Sequence, residues 1–338
     1  MTMVLAVEKR TVVAAMKKHM NGWRKGAIGL AAAMLAIVLT TSAGTAHAAA
    51  EAAPKEVMIN GVEFILIPEG WFYKTAGIPK EGPFQPLDDI GGGNVKIWLD
   101  SYYIAKFEAR SRDLVKYLNS DAGKMEKYAG STISCSIGLD KSGKHIRLRP
   151  DEDLPATHMH WELADRWARW MGFRLPNEIE WEKAARGPDQ RIYPWGDAYP
   201  DETYAGFNTR SPCFTWPVDS FPKGRSPYGV YNMAGNVREF VADWYSVEND
   251  ARLKDGMRNP SPASQGTVLT ENFAGEYKGP WKILKGGRWQ SKHRQLRIGY
   301  RNYAIPDDPF RCNGTRFALD VATVRAHLAK GTATVIAP

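Results

Sequence analysis

Cysteine is scarce in this chain, with Cys135, Cys213 and Cys312 the only three among 338 residues. None lies in Cys-x-x-Cys or Cys-x-x-Cys-His spacing, which argues against covalent haem attachment, thioredoxin-like exchange and a zinc ribbon. In an oxidising compartment three cysteines allow one disulfide and leave one thiol over. The sequence does not choose the pair.

Histidine is also sparse, with 7 residues in the chain. His158 and His160 are two apart, which in a strand would place both side chains on one face, but no third ligand is evident nearby. A histidine-rich metal site is therefore not predicted.

No apolar run is long enough to span a membrane, but residues 1–48 have the pattern of an export signal. Four basic residues precede an apolar stretch at residues 27–39, which is shorter than the roughly 20 residues that a spanning helix needs. The stretch ends at Ala46-His47-Ala48, an A-x-A cleavage pattern. We therefore expect a removed signal, no stable membrane anchor, and a periplasmic or secreted protein.

The basic character of the chain lies largely in this leader. Removing it takes away six basic residues and one acidic residue, which lowers the formal charge from +8 to +3. With so small a charge and no Lys/Arg run in a predicted helix, we expect no nucleic-acid partner. No linker-like tract interrupts the chain after the leader. We expect a short segment at residues 49–56, one domain at 57–320 and a C-terminal tail at 321–338.

Regular structure is predicted mainly in the first half of this domain. Two apolar runs around Asn60-Gly61 predict a β-hairpin within residues 57–70, and residues 98–107 have the composition of a further strand. Helical spacing predicts short amphipathic helices, with Ser111 as the N-cap of the first and Gly172 as the stop of the second; they cover residues 110–119, 161–171 and 176–185. Residues 187–228 show neither period, so ordered loops fixed by aromatic side chains are expected there.

The most informative segment is residues 228–240, YGVYNMAGNVREF, in which Asn232, Asn236 and Glu239 lie inside an aromatic and aliphatic run. Burying such groups without partners costs about 1 to 3 kcal/mol each, which predicts hydrogen bonds to irregular backbone or a bound cation. Other motifs surround this segment in the chain: KFEA at 106–109, a tryptophan-rich helix at 155–170, RLPNEIEWE at 174–182, YPWGD at 193–197 and LKGGRW at 284–289.

With these motifs in this order, residues 57–320 resemble the formylglycine-generating-enzyme-like, or sulfatase-modifying factor, domain family. The resemblance implies an α+β, loop-rich fold related to the C-type lectin architecture, with short helices packed on a twisted antiparallel sheet. It also implies a calcium site formed by Asn232, the carbonyls of Gly235 and Val237, and Glu239. Hard oxygen ligands in a turn suit calcium.

The resemblance does not extend to copper. In formylglycine-generating enzymes two cysteines after Gly-Gly-Ser bind copper(I), which activates oxygen and oxidises a sulfatase cysteine. Aligned on Gly286-Gly287, this chain has Arg288 in place of the serine, and Ser291 and approximately Leu296 in place of the cysteines. Because copper(I) requires soft thiolates, we expect neither a copper site nor formylglycine generation.

The copper-free branches of the family include an exported oxidative tailoring enzyme. By analogy we expect an oxidoreductase acting on an exported peptide, a siderophore-like molecule or a redox-protein partner. Its candidate catalytic residues are Arg288, Ser291, His293 and Arg297: the arginines suit a carboxylate or catecholate-like anion, and His293 suits acid–base work near neutral pH. In the alternative, these residues are structural, and the chain is a non-catalytic accessory module that assists assembly of a periplasmic redox enzyme.

Overall fold

The computed structural model describes residues 53–75, 94–126, 135–245, 252–262, 280–307 and 312–337. The predicted leader, residues 1–48, lies outside them. From Ala53 onward the chain forms one unit. None of the helices within the described ranges is long and apolar enough to cross a membrane.

Two larger sheets and two hairpin-like pairs make up the β structure of these segments. The strands are β1 (Glu56–Ile59), β2 (Val62–Ile67), β3 (Gly70–Thr75), β4 (Asn94–Leu99), β5 (Tyr102–Ala105), β6 (Ile137–Leu139), β7 (His145–Arg147), β8 (Arg238–Trp244), β9 (Lys282–Lys285), β10 (Asn302–Ala304), β11 (Asn313–Thr315), β12 (Ala318–Asp320) and β13 (Ala333–Val335). One sheet has the order β12-β5-β2-β1-β13 and another β10-β9-β8-β11, while β3 pairs with β4 and β6 with β7.

The predicted hairpin at residues 57–70 is confirmed. β1 and β2 pair antiparallel on either side of Asn60 and Gly61, whose φ angles are 50° and 79°. Asparagine and glycine tolerate this left-handed conformation better than other residues, so the turn is encoded locally.

The strand predicted at residues 98–107 is two strands, because the chain changes sheets at Asp100 and Ser101. β4 pairs with β3, whereas β5 enters the five-stranded sheet between β2 and β12. The Asp100 amide donates to Asn259 Oδ1 at 2.8 Å, and the Ser101 hydroxyl accepts from the Glu69 amide at 2.9 Å. These side-chain contacts replace ladder hydrogen bonds at the break, and neither was visible in the apolar pattern.

Four helices occur within the described ranges: α1 (Ser111–Leu118), α2 (Trp161–Trp170), α3 (Glu178–Arg186) and α4 (Val321–Ala329). The first three were predicted to within two residues at each end. The N-cap of α1 is Arg110 rather than Ser111, because Ser111 already has helical geometry. α2 is capped by the His160 ring, and α3 by a capping box of Asn177 and Glu180.

Residues 321–338, expected to be a tail outside the domain, contribute regular structure to it. β13 pairs with β1 at the edge of the five-stranded sheet, and Val324 of α4 is fully buried in the main core. This core lies between that sheet and helices α1 and α2, around Trp167.

The other large sheet is mixed, whereas the expectation was an antiparallel one. β8 pairs antiparallel with β9 but parallel with β11, in register Asn313 to Arg238. A second core, around Trp181 of α3, packs beside this sheet. Most of the residues singled out from the sequence lie just before β8, at its start, or in the chain after β9.

Candidate functional site

The polar residues of the segment 228–240 are buried and hydrogen-bonded. Asn232 and Asn236 have φ angles of 52° and 56°, and each donates its side-chain amide to Glu108 Oε2 at 2.9 Å. Asn232 also donates to the Val218 carbonyl at 2.9 Å, and the Val237 amide donates to Glu108 Oε1 at 3.2 Å. The sequence left two alternatives for these groups, hydrogen bonds to irregular backbone or a bound cation. The observed contacts are hydrogen bonds, to the Val218 carbonyl and to the Glu108 side chain.

Glu108 lies at the centre of this arrangement and was not predicted to have a role. Burial, and after it the nearby Glu239 carboxylate, raise its pKa to about 8 against the opposing effect of Arg316. The available signal was the KFEA motif, in which a glutamate lies between two apolar residues. Glu108 is consequently a buried carboxyl group that can hold a proton near neutral pH.

Glu239 is held by Arg316. Arg316 Nε and Nη2 donate to the two carboxylate oxygens at 2.6 Å each, and Trp181 Nε1 donates to Oε2 at 2.7 Å. The remaining guanidinium hydrogens reach the carbonyls of Ala105 and Tyr231 at 2.9 and 2.8 Å. This bidentate pair joins the start of β8 to the residue between β11 and β12, and Trp181 adds a contact from α3.

As arranged, Asn232, Gly235, Val237 and Glu239 do not fit a calcium ion. Asn232 Oδ1 is a buried acceptor that no described residue supplies with a hydrogen bond, which would suit a cation. Both Glu239 oxygens, however, already neutralise the Arg316 guanidinium. Calcium would have to displace that cation, so the calcium site remains a prediction that these contacts do not support. No group of three or more His, Cys, Asp or Glu side chains suited to a metal occurs among the described residues.

Arg288 and Ser291 are brought together in the turn after β9. The Arg288 amide donates to Ser291 Oγ at 3.0 Å, and the Ser291 amide returns a bond to the Arg288 carbonyl at 2.8 Å. Ser291 is 2% exposed. Its hydroxyl therefore closes the turn, a structural use that leaves it poorly placed to act as a nucleophile.

His293 begins a single 3-10 turn, His293–Leu296, and Arg297 directly follows it. The His293 ring is half-buried and packs against the exposed ring of Tyr199, with centroids 5.1 Å apart. Leu296 points inward and is fully buried with Tyr193, Ala205 and Ala234 in a small aromatic-lined core. The turn thus separates His293, at the surface, from the position that replaces the second copper cysteine.

Arg238 is a site residue that the sequence analysis missed. It starts β8, and because side chains alternate along a strand it faces away from the buried Glu239. Burial, and after it the neighbouring Arg288 guanidinium, lower the pKa of Arg238 to about 10. Arg238 and Arg288 are therefore close enough for their charges to repel each other, and they are here called the arginine pair. The available signal was the alternation of side chains within VREF, which predicts that Arg238 and Glu239 lie on opposite faces of the strand.

The three cysteines also meet beside Trp289. Cys135 and Cys213 form a disulfide, and Cys312 carries a buried thiol. Val237, Trp289 and Cys312 form a buried cluster, here called the Trp289 core, against which Cys135 packs. Folding thus brings sulfur close to the segment where the family has its copper cysteines, although not at the aligned positions.

Comparison with known proteins agrees with this geometry. The family model described as sulfatase-modifying factor enzyme 1-like domain matches residues 48–321. The chain therefore belongs to this family of formylglycine-generating-enzyme-like proteins.

Individual relatives share about a third of their residues with this chain over the matched regions. The chain is 34% identical to hercynine oxygenase of Mycolicibacterium smegmatis over 52% of this chain and 40% of the relative. It is 34% identical to the formylglycine-generating enzyme of Thermomonospora curvata over 53% of this chain and 59% of the relative. The solved structure of PvdO from Pseudomonas aeruginosa matches with a TM-score of 0.54 at 23% identity, covering 79% of this chain and 98% of PvdO, which shows a shared fold. The chain spans about a third to two thirds of the length of the curated relatives it matches.

Proposed function

We propose that this chain is a copper-independent member of the family that oxidatively tailors or matures an exported substrate. The observation that carries the proposal is the structural role of the two residues that replace the copper-binding cysteines. Ser291 closes a turn through its hydroxyl, and Leu296 fills an aromatic-lined core. Neither residue supplies the soft thiolate that copper(I) prefers, so formylglycine generation is not the proposed activity.

The oxidative part of the proposal rests on the family. One relative is named hercynine oxygenase, and oxidation is the chemistry we carry over from it. Because the chain covers only part of that protein, the substrate is argued from this chain's own residues. It is an exported peptide, a siderophore-like molecule or a redox-protein partner, met in the periplasm or outside the cell after removal of the leader.

The arginine pair, Arg238 and Arg288, favours an anionic substrate. Two neighbouring guanidinium groups concentrate positive charge, and the planar fork of each matches a carboxylate or a catecholate-like group. Trp289, which follows Arg288 in the chain, is fully buried in the Trp289 core. His293 lies further along the same segment and packs against Tyr199, and we assign it to the outer part of a large substrate rather than to the anion itself.

A second candidate is a non-catalytic accessory module that binds a redox-protein partner during its assembly. The observation in its favour is the same one, because Ser291 closes a turn and Leu296 fills a core. The two functions differ in turnover: both bind an anionic partner through the arginine pair, but only the enzyme changes it.

Oxygen uptake and calorimetric binding with a short peptide that carries a catechol and a carboxylate test the proposal. The enzyme consumes oxygen and changes the mass of the peptide, and Arg288→Gln raises KM several-fold while Arg169→Gln, on the exposed face of α2, does not. Binding without oxygen uptake would assign the accessory role. The absence of both binding and turnover would contradict both functions.

A further inference from the structure

The three cysteines lie far apart in the sequence but converge at one place in the fold. The Cys135–Cys213 disulfide closes a loop with a sequence separation of 78. Cys135 packs on the Trp289 core, to which Cys312 contributes its fully buried side chain. A disulfide and a thiol therefore meet in one cluster, an arrangement that packing alone does not require.

Two adjacent residues hold the Cys312 thiol and the loop that carries Cys213. Gln290 Oε1 lies 3.9 Å from Cys312 Sγ. Gln290 Nε2 and Trp289 Nε1 both donate to the Ser211 carbonyl, each at 3.1 Å. The Ser211 hydroxyl in turn donates to the Cys213 carbonyl at 3.2 Å. The positions of the thiol and of the disulfide loop are thereby fixed by the same short segment.

Arg238 supplies the positive charge that a reactive thiol needs. Its amide donates to the Cys312 carbonyl at 3.1 Å, which anchors the start of β8 beside the cysteine. A Cys312 thiolate raises the pKa of Arg238 by charge attraction, and through the same attraction Arg238 stabilises the thiolate. Thiolates near arginine are the nucleophilic form of cysteine.

We propose that Cys135, Cys213 and Cys312 form a thiol–disulfide exchange centre. Cys312 first gives its proton to solvent. Its thiolate then attacks Sγ of Cys135, the half of the disulfide that packs on the Trp289 core. A Cys135–Cys312 disulfide forms, the Cys135–Cys213 bond breaks, and Cys213 leaves as a thiolate that takes up a proton. One disulfide and one thiol are present before and after, so no oxidant or reductant is needed.

The exchange moves the thiol from the interior to the surface. Cys312 is fully buried, whereas Cys213 is half-buried and lies between the exposed residues Pro212 and Phe214. A thiol at Cys213 can form a mixed disulfide with a partner that carries a disulfide, which the buried Cys312 cannot reach. The centre would thus give the chain a covalent means of engaging such partners, which differs in chemistry from the proposed oxidation but shares Arg238 with it.

Trapping the exposed thiol tests the exchange. The purified chain, kept in its native state without reductant, is treated with N-ethylmaleimide, and its peptides are mapped by mass spectrometry. We expect label to accumulate on Cys213, with a Cys135–Cys312 disulfide in the same molecules. Absence of label, or label on Cys312 with Cys135–Cys213 intact, would overturn the proposal.

Two variants sharpen the test. In Cys312→Ser, Cys213 stays in its disulfide and takes no label, so equal labelling of this variant would also overturn the proposal. Arg238→Gln slows labelling of Cys213 several-fold because less Cys312 is ionised, while Arg169→Gln does not. The map of the unaltered chain remains decisive if either variant folds poorly.

Discussion

Arg316 holds both carboxylate oxygens of Glu239 at 2.6 Å, in a place where neither side chain is more than 1% exposed. The pair joins β8 to the segment between β11 and β12, across a sequence separation of 77. It occupies the position where the family resemblance implies a cation. In this chain a guanidinium supplies the positive charge there.

Removing this guanidinium should destabilise the fold strongly. Arg316→Met leaves Glu239 buried without its counter-ion, and we expect a loss of about 3–5 kcal/mol in the free energy of unfolding, measured with urea. The pair of the exposed Arg169 and the half-buried Asp165 provides the control, since Arg169→Gln should cost less than about 1 kcal/mol. Equal effects of the two substitutions would contradict the role given to Arg316.

The double variant Arg316→Met/Glu239→Leu isolates the pair itself. With both charges removed, no uncompensated carboxylate stays buried, and most of the lost stability should return. Additive losses in the double-mutant cycle would instead mean that the two side chains act independently.

Calcium should not stabilise the unaltered chain. Because Arg316 already neutralises Glu239, we expect the same melting temperature with millimolar calcium as with a chelator. A calcium-dependent rise of several degrees would show that the ion displaces Arg316, and would restore the site predicted at Asn232, Gly235, Val237 and Glu239.

Glu108 should make stability fall as the pH rises. Its ordinary pKa is 4.5 and its pKa in the fold is about 8, so between these values the folded chain holds a proton that the unfolded chain has lost. The contribution of this group is therefore fully present below pH 4.5 and is lost progressively up to pH 8. Glu108→Gln should flatten the pH dependence of unfolding in this window. Glu162→Gln, at an exposed carboxylate of α2, should leave it unchanged.

The two residues that replace the copper cysteines should both stabilise the fold, but by different amounts. Leu296→Ala removes a fully buried side chain and should cost about 2–5 kcal/mol, whereas Ser291→Ala removes one acceptor and should cost about 1 kcal/mol. Urea unfolding measures both. If Ser291→Ala instead abolished oxygen uptake without loss of stability, Ser291 would be catalytic.

Local signals in the sequence were sufficient for the hairpin at Asn60-Gly61 and for helices α1, α2 and α3. They failed where a tertiary contact overrides the pattern, as at Asp100, where Asn259 satisfies the backbone and the predicted strand divides. The N-cap of α1 was misplaced by one residue for a related reason: Arg110 makes an isolated bridge with Pro155 that fixes its extended backbone.

The site was predictable only in part, because its decisive contacts join residues far apart in the chain. Asn232 and Glu239 were recognised as buried polar groups, but their partners Glu108 and Arg316 are separated from them by 124 and 77 positions. The disulfide pairing was open in the sequence for the same reason. Nothing local distinguishes Cys135, Cys213 and Cys312 from one another.

Copper(I) binding and oxygen uptake of the unreduced, purified chain test the central claim most directly. With Ser291 and Leu296 in place of the cysteines and the Cys135–Cys213 disulfide intact, we predict no copper in the protein by mass spectrometry. We also predict that added copper(I) causes no increase in oxygen consumption. Stoichiometric copper together with copper-dependent oxygen uptake would contradict the account.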